Sequence, residues 1–207
     1  KATLEFVEEQ LIDAANNHAY VIGVTHQTLL VHSELTSQGI TFINNDKLLA
    51  LYEKYNVLLN LSGHMHIQHI KESENGFVEI STGALMTSPN YHAKIHLEGR
   101  EFSYQAVPTI VEKSDINEKS KDFLWDNGYR QGQEQLSDNP NKDEMAAYFA
   151  DFNVNYIAGR PDQIPWNDDI SKKWGNTDTF VPLYLQYVAD EVEQVENADF
   201  TKYKLKW

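Results

Sequence analysis

The sequence predicts an α/β layer that runs into a β-rich layer and then into a mostly α-helical region. Three observations predict it. Residues 1 to about 110 alternate helical and strand patterns, ending in a hairpin. Two short apolar runs, residues 19–25 (AYVIGVT) and 57–62 (VLLNLS), read as buried strands on either side of a helix. After Pro108 helical spacing takes over.

In chain order, Leu4, Val7, Leu11 and Ala14 recur at helical spacing and predict the first helix. The strand over 19–25 follows, bounded by Asn16, Asn17 and His18. A loop of about twenty residues, 26–45, is long enough to suggest function. The next helix is expected to be capped around residues 44–46, with Leu48, Leu51, Tyr52 and Tyr55 on one face. The strand over 57–62 comes next, read, like 19–25, as central and apolar on both faces. Residues 77–81 form a short alternating strand. Residues 91–97 and 101–107 flank Gly99-Arg100, a hairpin turn. Met145, Phe149, Phe152 and Tyr156 predict one helix face, and Phe180, Leu183, Tyr187, Val188 and Val192 another. Phe123, Trp125, Tyr148, Phe149, Trp166 and Trp174 are expected in the core of this helical part. Residues 202–207 alternate polar and apolar and read as a strand or a ragged end. The boundary between the two parts is expected near residue 112, giving units 1–112 and 113–207.

The net charge of −14 argues against a nucleic-acid polymer as partner, because a phosphate backbone would be repelled. It leaves room for a small phosphorylated substrate, since a bound metal ion reverses the local sign. The chain has no cysteine, so thiolate catalysis, thiolate metal sites and disulfides are excluded. No apolar run approaches the ~18 residues of a membrane helix, and compartment stays open between cytoplasm and bacterial surface.

Seven of the eight histidines fall from His26 to His96, and that concentration directs attention to this half. His64 and His66 stand in Gly63-His64-Met65-His66, directly after the 57–62 strand. Residues two apart at a strand end can aim at one centre. His26 directly follows the other buried strand. Two strands joined through one helix lie parallel in one sheet, so their C-terminal ends share one crevice, where ligands bind in such sheets. Imidazole nitrogens collected there suit Mn, Fe or Zn. His32, in the loop after His26, is read as reaching substrate phosphate, against the alternative of a solvated loop position. His92 is read as lining the pocket, against that of a solvent-facing strand residue. His69 is a candidate for orienting a metal ligand. His18 and His96 carry no special reading.

Val24-Thr25-His26, then loop and helix, then Leu61-Ser62-Gly63-His64-Met65-His66, is similar to the last two motifs of the calcineurin-like metallophosphoesterases. Tyr55-Asn56-Val57 and Ser81-Thr82-Gly83 add to the likeness, which covers roughly residues 1 to 110. Within that family the chain most resembles bacterial phosphodiesterases of the cyclic-nucleotide type, some of which carry a helical C-terminal domain. The resemblance implies an α/β fold, the C-terminal half of a four-layer αββα sandwich followed by a small mostly α-helical domain. It implies that His26 and His64 bind one metal and His66 a second. The two ions (Mn, Fe or Zn) would activate a hydroxide against a phosphodiester or monoester of a small molecule.

The family's D-x-H, G-D-x-x-D and G-N-H-[ED] motifs do not occur here; Gly175-Asn176 is followed by Thr177. The general-acid histidine is therefore missing, and no catalytic residue is assigned. The chain is expected to be part of a longer phosphoesterase, to bind one metal ion or none, and to be inactive alone. It is also expected to form a homodimer that covers the truncated sheet. The alternative is a catalytically degenerate binding protein with the same fold.

Overall fold

The computed structural model describes residues 2–35, 39–195 and 198–207, so part of the long loop over 26–45 lies outside the described residues. It shows an α/β protein with a mixed, mostly parallel sheet and a helical C-terminal region. The order is α1 (Ala2–Asn16), β1 (Ile22–Val24), α2 (Asn45–Lys54), β2 (Leu59–Ser62), β3 (His69–Glu72), β4 (Val78–Ser81), β5 (Tyr91–Glu98) and β6 (Glu101–Pro108). There follow α3 (Ile116–Leu136), α4 (Lys142–Ile157), a 3-10 turn (Pro161–Gln163), α5 (Asp168–Gly175), α6 (Val181–Gln194) and β7 (Lys202–Lys206).

Four strands form one sheet in the order β1-β2-β4-β3, with β1, β2 and β4 parallel and β3 antiparallel to β4. The other three form an antiparallel sheet, β5-β6-β7. Alternation sorts the first sheet's residues. Leu59, Leu61, Val78 and Ile80 face the second sheet and meet Phe102, Tyr104 and Ala106 there. The opposite face carries Gly23, Asn60 and Glu79, aligned across three strands. That corrects the reading of β2, which is central but not apolar on both faces; β1 lies at the bare edge expected of a truncated sheet, with Val24 75% exposed. Helices α1 and α2 contribute Leu11, Leu48 and Tyr52 to a cluster with Leu29, Val57 and Phe77. A side chain at position 23 would collide with the Tyr52 hydroxyl, so glycine is required where α2 meets β1. Asn44 precedes α2 in the left-handed region (φ 63°), and its side chain caps no helix N–H, contrary to expectation.

The helical part packs around Met145, Phe149, Phe152, Trp174, Val181 and Leu185. A Cβ at Gly132 would stand 2.9 Å from the Ala146 Cα, so two glycines one turn apart, Gly128 and Gly132, let α3 lie close on α4. The α4 face is as expected. On α6 the buried residues are Val181, Leu185 and Val188, whereas Phe180 and Leu183 are exposed. Tyr148, Phe149 and Trp174 are core residues, but Phe123 and Trp166 are exposed. The boundary near residue 112 is crossed: β7 returns to pair with β6, and the Gln68 side chain donates to the Phe200 carbonyl at 2.7 Å. No described helix is long and apolar enough to cross a membrane.

Candidate functional site

The β1–β2 ladder runs past the strand ends. The Thr25 N–H donates to Leu61 O at 3.0 Å, and the Gly63 N–H donates to His26 O at 3.1 Å. This holds His26 against Gly63-His64 at the C-terminal edge of the parallel strands. The His26 Nε2 and His64 Nδ1 atoms lie 2.9 Å apart, with ring planes at 74°. The outer nitrogen of His64, Nε2, lies 3.2 Å from the Gly39 carbonyl, which can only accept. That places a proton on Nε2. His64 and His66 both have positive φ, 66° and 59°. Such backbone costs on the order of 1–3 kcal/mol for each non-glycine residue and collects at functional sites. His66 is exposed and does not join the pair; among the described residues no group of three His, Cys, Asp or Glu converges on one point.

A second pair lies beneath the sheet's polar face. His32 and His69 are 2% and 1% exposed, and their Nδ1 atoms are 2.9 Å apart. His32 Nε2 lies 3.3 Å from Glu79, and His69 Nε2 lies 2.9 Å from Glu191 on α6. Glu79 is fully buried and also accepts from the Leu29 and Leu30 backbone N–H groups and from Asn60 Nδ2. Burial pushes its carboxyl up, but the His32 hydrogen bond and charge and the two backbone donors outweigh it and leave it below the ordinary range. Burial pushes His32 below the usual histidine value, against the pull of Glu79. Burial and the Glu191 charge push Tyr156 well up, so its hydroxyl stays protonated and donates to Glu191 at 3.3 Å.

Hydrogen-bond accounting sets the protons of this chain of groups. Both outer nitrogens face carboxylates and carry protons. The facing Nδ1 atoms, 2.9 Å apart, are within hydrogen-bond distance of each other.

The sequence-predicted residues therefore separate. His26 and His64 meet at the crevice. His32, expected at substrate phosphate, is buried, its ring engaged by Glu79 and His69. His69 does orient a neighbour, but that neighbour is His32. His92 is exposed on β5 and lies 2.9 Å from Thr109 Oγ1 through its Nδ1. Glu79 and Glu191 were not foreseen. Glu79 sits in an alternating strand, where a charged residue normally signals solvent, and Glu191 is one of many acids on the helices.

No family profile matches the chain, and no curated protein matches it. Among solved structures the chain is similar to a dimetal phosphatase from Danio rerio, with 16% identity and a TM-score of 0.45. The match covers 51% of this chain and 34% of the phosphatase, so the chain spans about a third of that protein.

Proposed function

We propose that the chain supplies histidine ligands to a metal centre that hydrolyses phosphoesters of small molecules, with His26 and His64 on one ion and His66 on a second. The observation that carries this reading is the 2.9 Å approach of His26 Nε2 and His64 Nδ1 at the sheet's C-terminal edge. Nitrogens at about 2.1 Å from an ion, separated by that distance, subtend roughly 90° there, the angle between neighbouring ligands of a six-coordinate metal. The Gly39 carbonyl on the outer nitrogen of His64 is the kind of partner that orients a ligating imidazole. A bound ion would supply an activated hydroxide and neutralise phosphate charge. This chain's own residues hold and orient; none is assigned proton transfer to a leaving group. In this reading residues 1–112 are a half of the catalytic domain and 113–207 a helical domain whose last strand, β7, returns to the sheet of the first unit.

Mn²⁺ titration followed by electron paramagnetic resonance tests the reading. Binding that disappears in His64→Ala and His26→Ala supports it, and binding indifferent to both sinks it. The two-histidine edge alone is not a full coordination sphere, and this favours a second reading, a binding protein that holds an ion or phosphate without hydrolysis. Turnover of a chromogenic phosphodiester separates the two. Little or none is expected from the chain by itself, and strong turnover abolished by His64→Ala would remove the second reading.

A further inference from the structure

A cleft of about 370 Å³ opens between α3, α4 and α6 and the loops that carry Ser33 and Ile67. Its volume lies within the ~300–1,000 Å³ of small-molecule sites. In a chain with 48 formally charged side chains, not one Asp, Glu, Lys, Arg or His among the described residues lines it. A charged group entering it would lose water without gaining an ionic partner, so the cleft selects for an uncharged one.

Its walls are of two kinds. Rings form one: Phe180 and Tyr184 stack with centroids 5.9 Å apart and planes at 21°, and Phe149 stands edge-on to Tyr184. Phe180 is 49% exposed at the rim, an apolar ring with no core to bury it. Flat aromatic walls favour a flat ring between or upon them. Carboxamides form the other. Gln131 and Gln135, one turn apart on α3, and Asn153 on α4 face the cleft, and these side chains make no hydrogen bond to any described residue. Each amide offers an acceptor and two donors. A set of neutral amides is met by a partner edge that also presents a carbonyl beside an N–H.

We infer that this cleft binds an uncharged, planar heteroaromatic ring bearing an amide-type edge, stacked on Phe180 and Tyr184 and read by Gln131, Gln135 and Asn153. The inference does not depend on the phosphoester reading. It is nevertheless placed beside it, because Ile67, which lines the cleft, directly follows His66.

Three probes separate the contributing features, followed by side-chain amide resonances in nuclear magnetic resonance. Nicotinamide has the ring and the neutral amide, nicotinate has the ring with a charge, and cyclohexanecarboxamide has the amide without a flat ring. Nicotinamide is expected to saturate with a dissociation constant near 1 mM, shifting the Gln131, Gln135 and Asn153 NH₂ signals, and the other two to bind about tenfold more weakly. Gln135→Leu with Asn153→Leu should weaken nicotinamide about tenfold, while His64→Ala should leave it unchanged. No saturable shift in the unaltered chain, equal binding of nicotinate, or shifts confined to other residues would each overturn the inference. The shifts in the unaltered chain decide the matter even where the double variant folds poorly.

Discussion

Two histidine pairs in this molecule share almost the same geometry and have opposite surroundings. In each, two ring nitrogens stand 2.9 Å apart and the rings meet edge-on, at 74° for His26–His64 and 77° for His32–His69. The buried pair is closed at both ends by carboxylates, Glu79 and Glu191. Among the described residues the crevice pair has only the Gly39 carbonyl at one end, and His26 is exposed. A close approach of imidazoles therefore does not define a site by itself. The groups behind the rings, and access to water, decide whether the pair is a tie within the fold or an opening for a ligand.

Removing the carboxylate behind the buried pair should have the largest effect. Glu79→Leu leaves two backbone N–H groups, Asn60 and His32 without their acceptor and should cost about 3–5 kcal/mol. The melting temperature would fall by on the order of 10 °C. A fall no larger than that of an exposed substitution would show that the buried chain of groups is not structural.

Acid should come next. Both His32 and Glu79 have folded-state values below their ordinary ones. As pH falls past about 6.5, unfolded His32 takes up a proton that the folded chain resists, so stability declines. Below about 4.3, unfolded Glu79 does the same, and what remains of its contribution is lost as pH drops through the lowered folded value. Denaturant unfolding across pH 7 to 4 should show this fall, and the Glu79→Leu variant should lack its lower limb. Stability that is flat or rising toward pH 4 would contradict the lowered values of His32 and Glu79.

A smaller effect is expected at Gly23, in line with Asn60 and Glu79 across the sheet. Gly23→Ala presses a methyl group on Asn60 and Tyr52 and should cost about 1–3 kcal/mol, read by chemical denaturation. The crevice pair should be the least sensitive: His26→Ala or His64→Ala should change stability by less than about 0.5 kcal/mol while removing Mn²⁺ binding. A large loss of stability there would make the crevice pair a second structural tie and weaken the metal reading.

The parts of this contrast were unequally legible in the sequence. The crevice pair could be placed because each histidine directly follows an apolar run, and parallel strands bring such positions to one edge. The hairpin of β5 and β6 was legible from Gly99-Arg100, and α4 from its apolar stripe. Three features were hidden. Strand β3 (His-Ile-Lys-Glu) is too short and too polar to show a period. Helix α3 buries only Gly128, Gly132 and Leu136, so its contact face is made of missing side chains rather than apolar ones. The partners of the buried pair come from β4 and α6, and sequence spacing carries no information about residues 122 positions apart, as His69 and Glu191 are.

The return of β7 bears on how the chain is made. Its ladder with β6 joins Glu101 to Lys206, 105 positions apart, across four helices and a 3-10 turn. A sheet edge of that kind waits, during synthesis, for a segment that emerges 105 positions later. Until then one side of β6 offers unpaired backbone groups, and Phe102 and Tyr104 have yet to meet the Leu205 and Tyr203 that cover them. Long-range pairings of this sort form slowly, and a half-built sheet is the species that associates with its neighbours. Shortening the chain before Lys202 should therefore lower the yield of dispersed protein well before it alters either histidine pair.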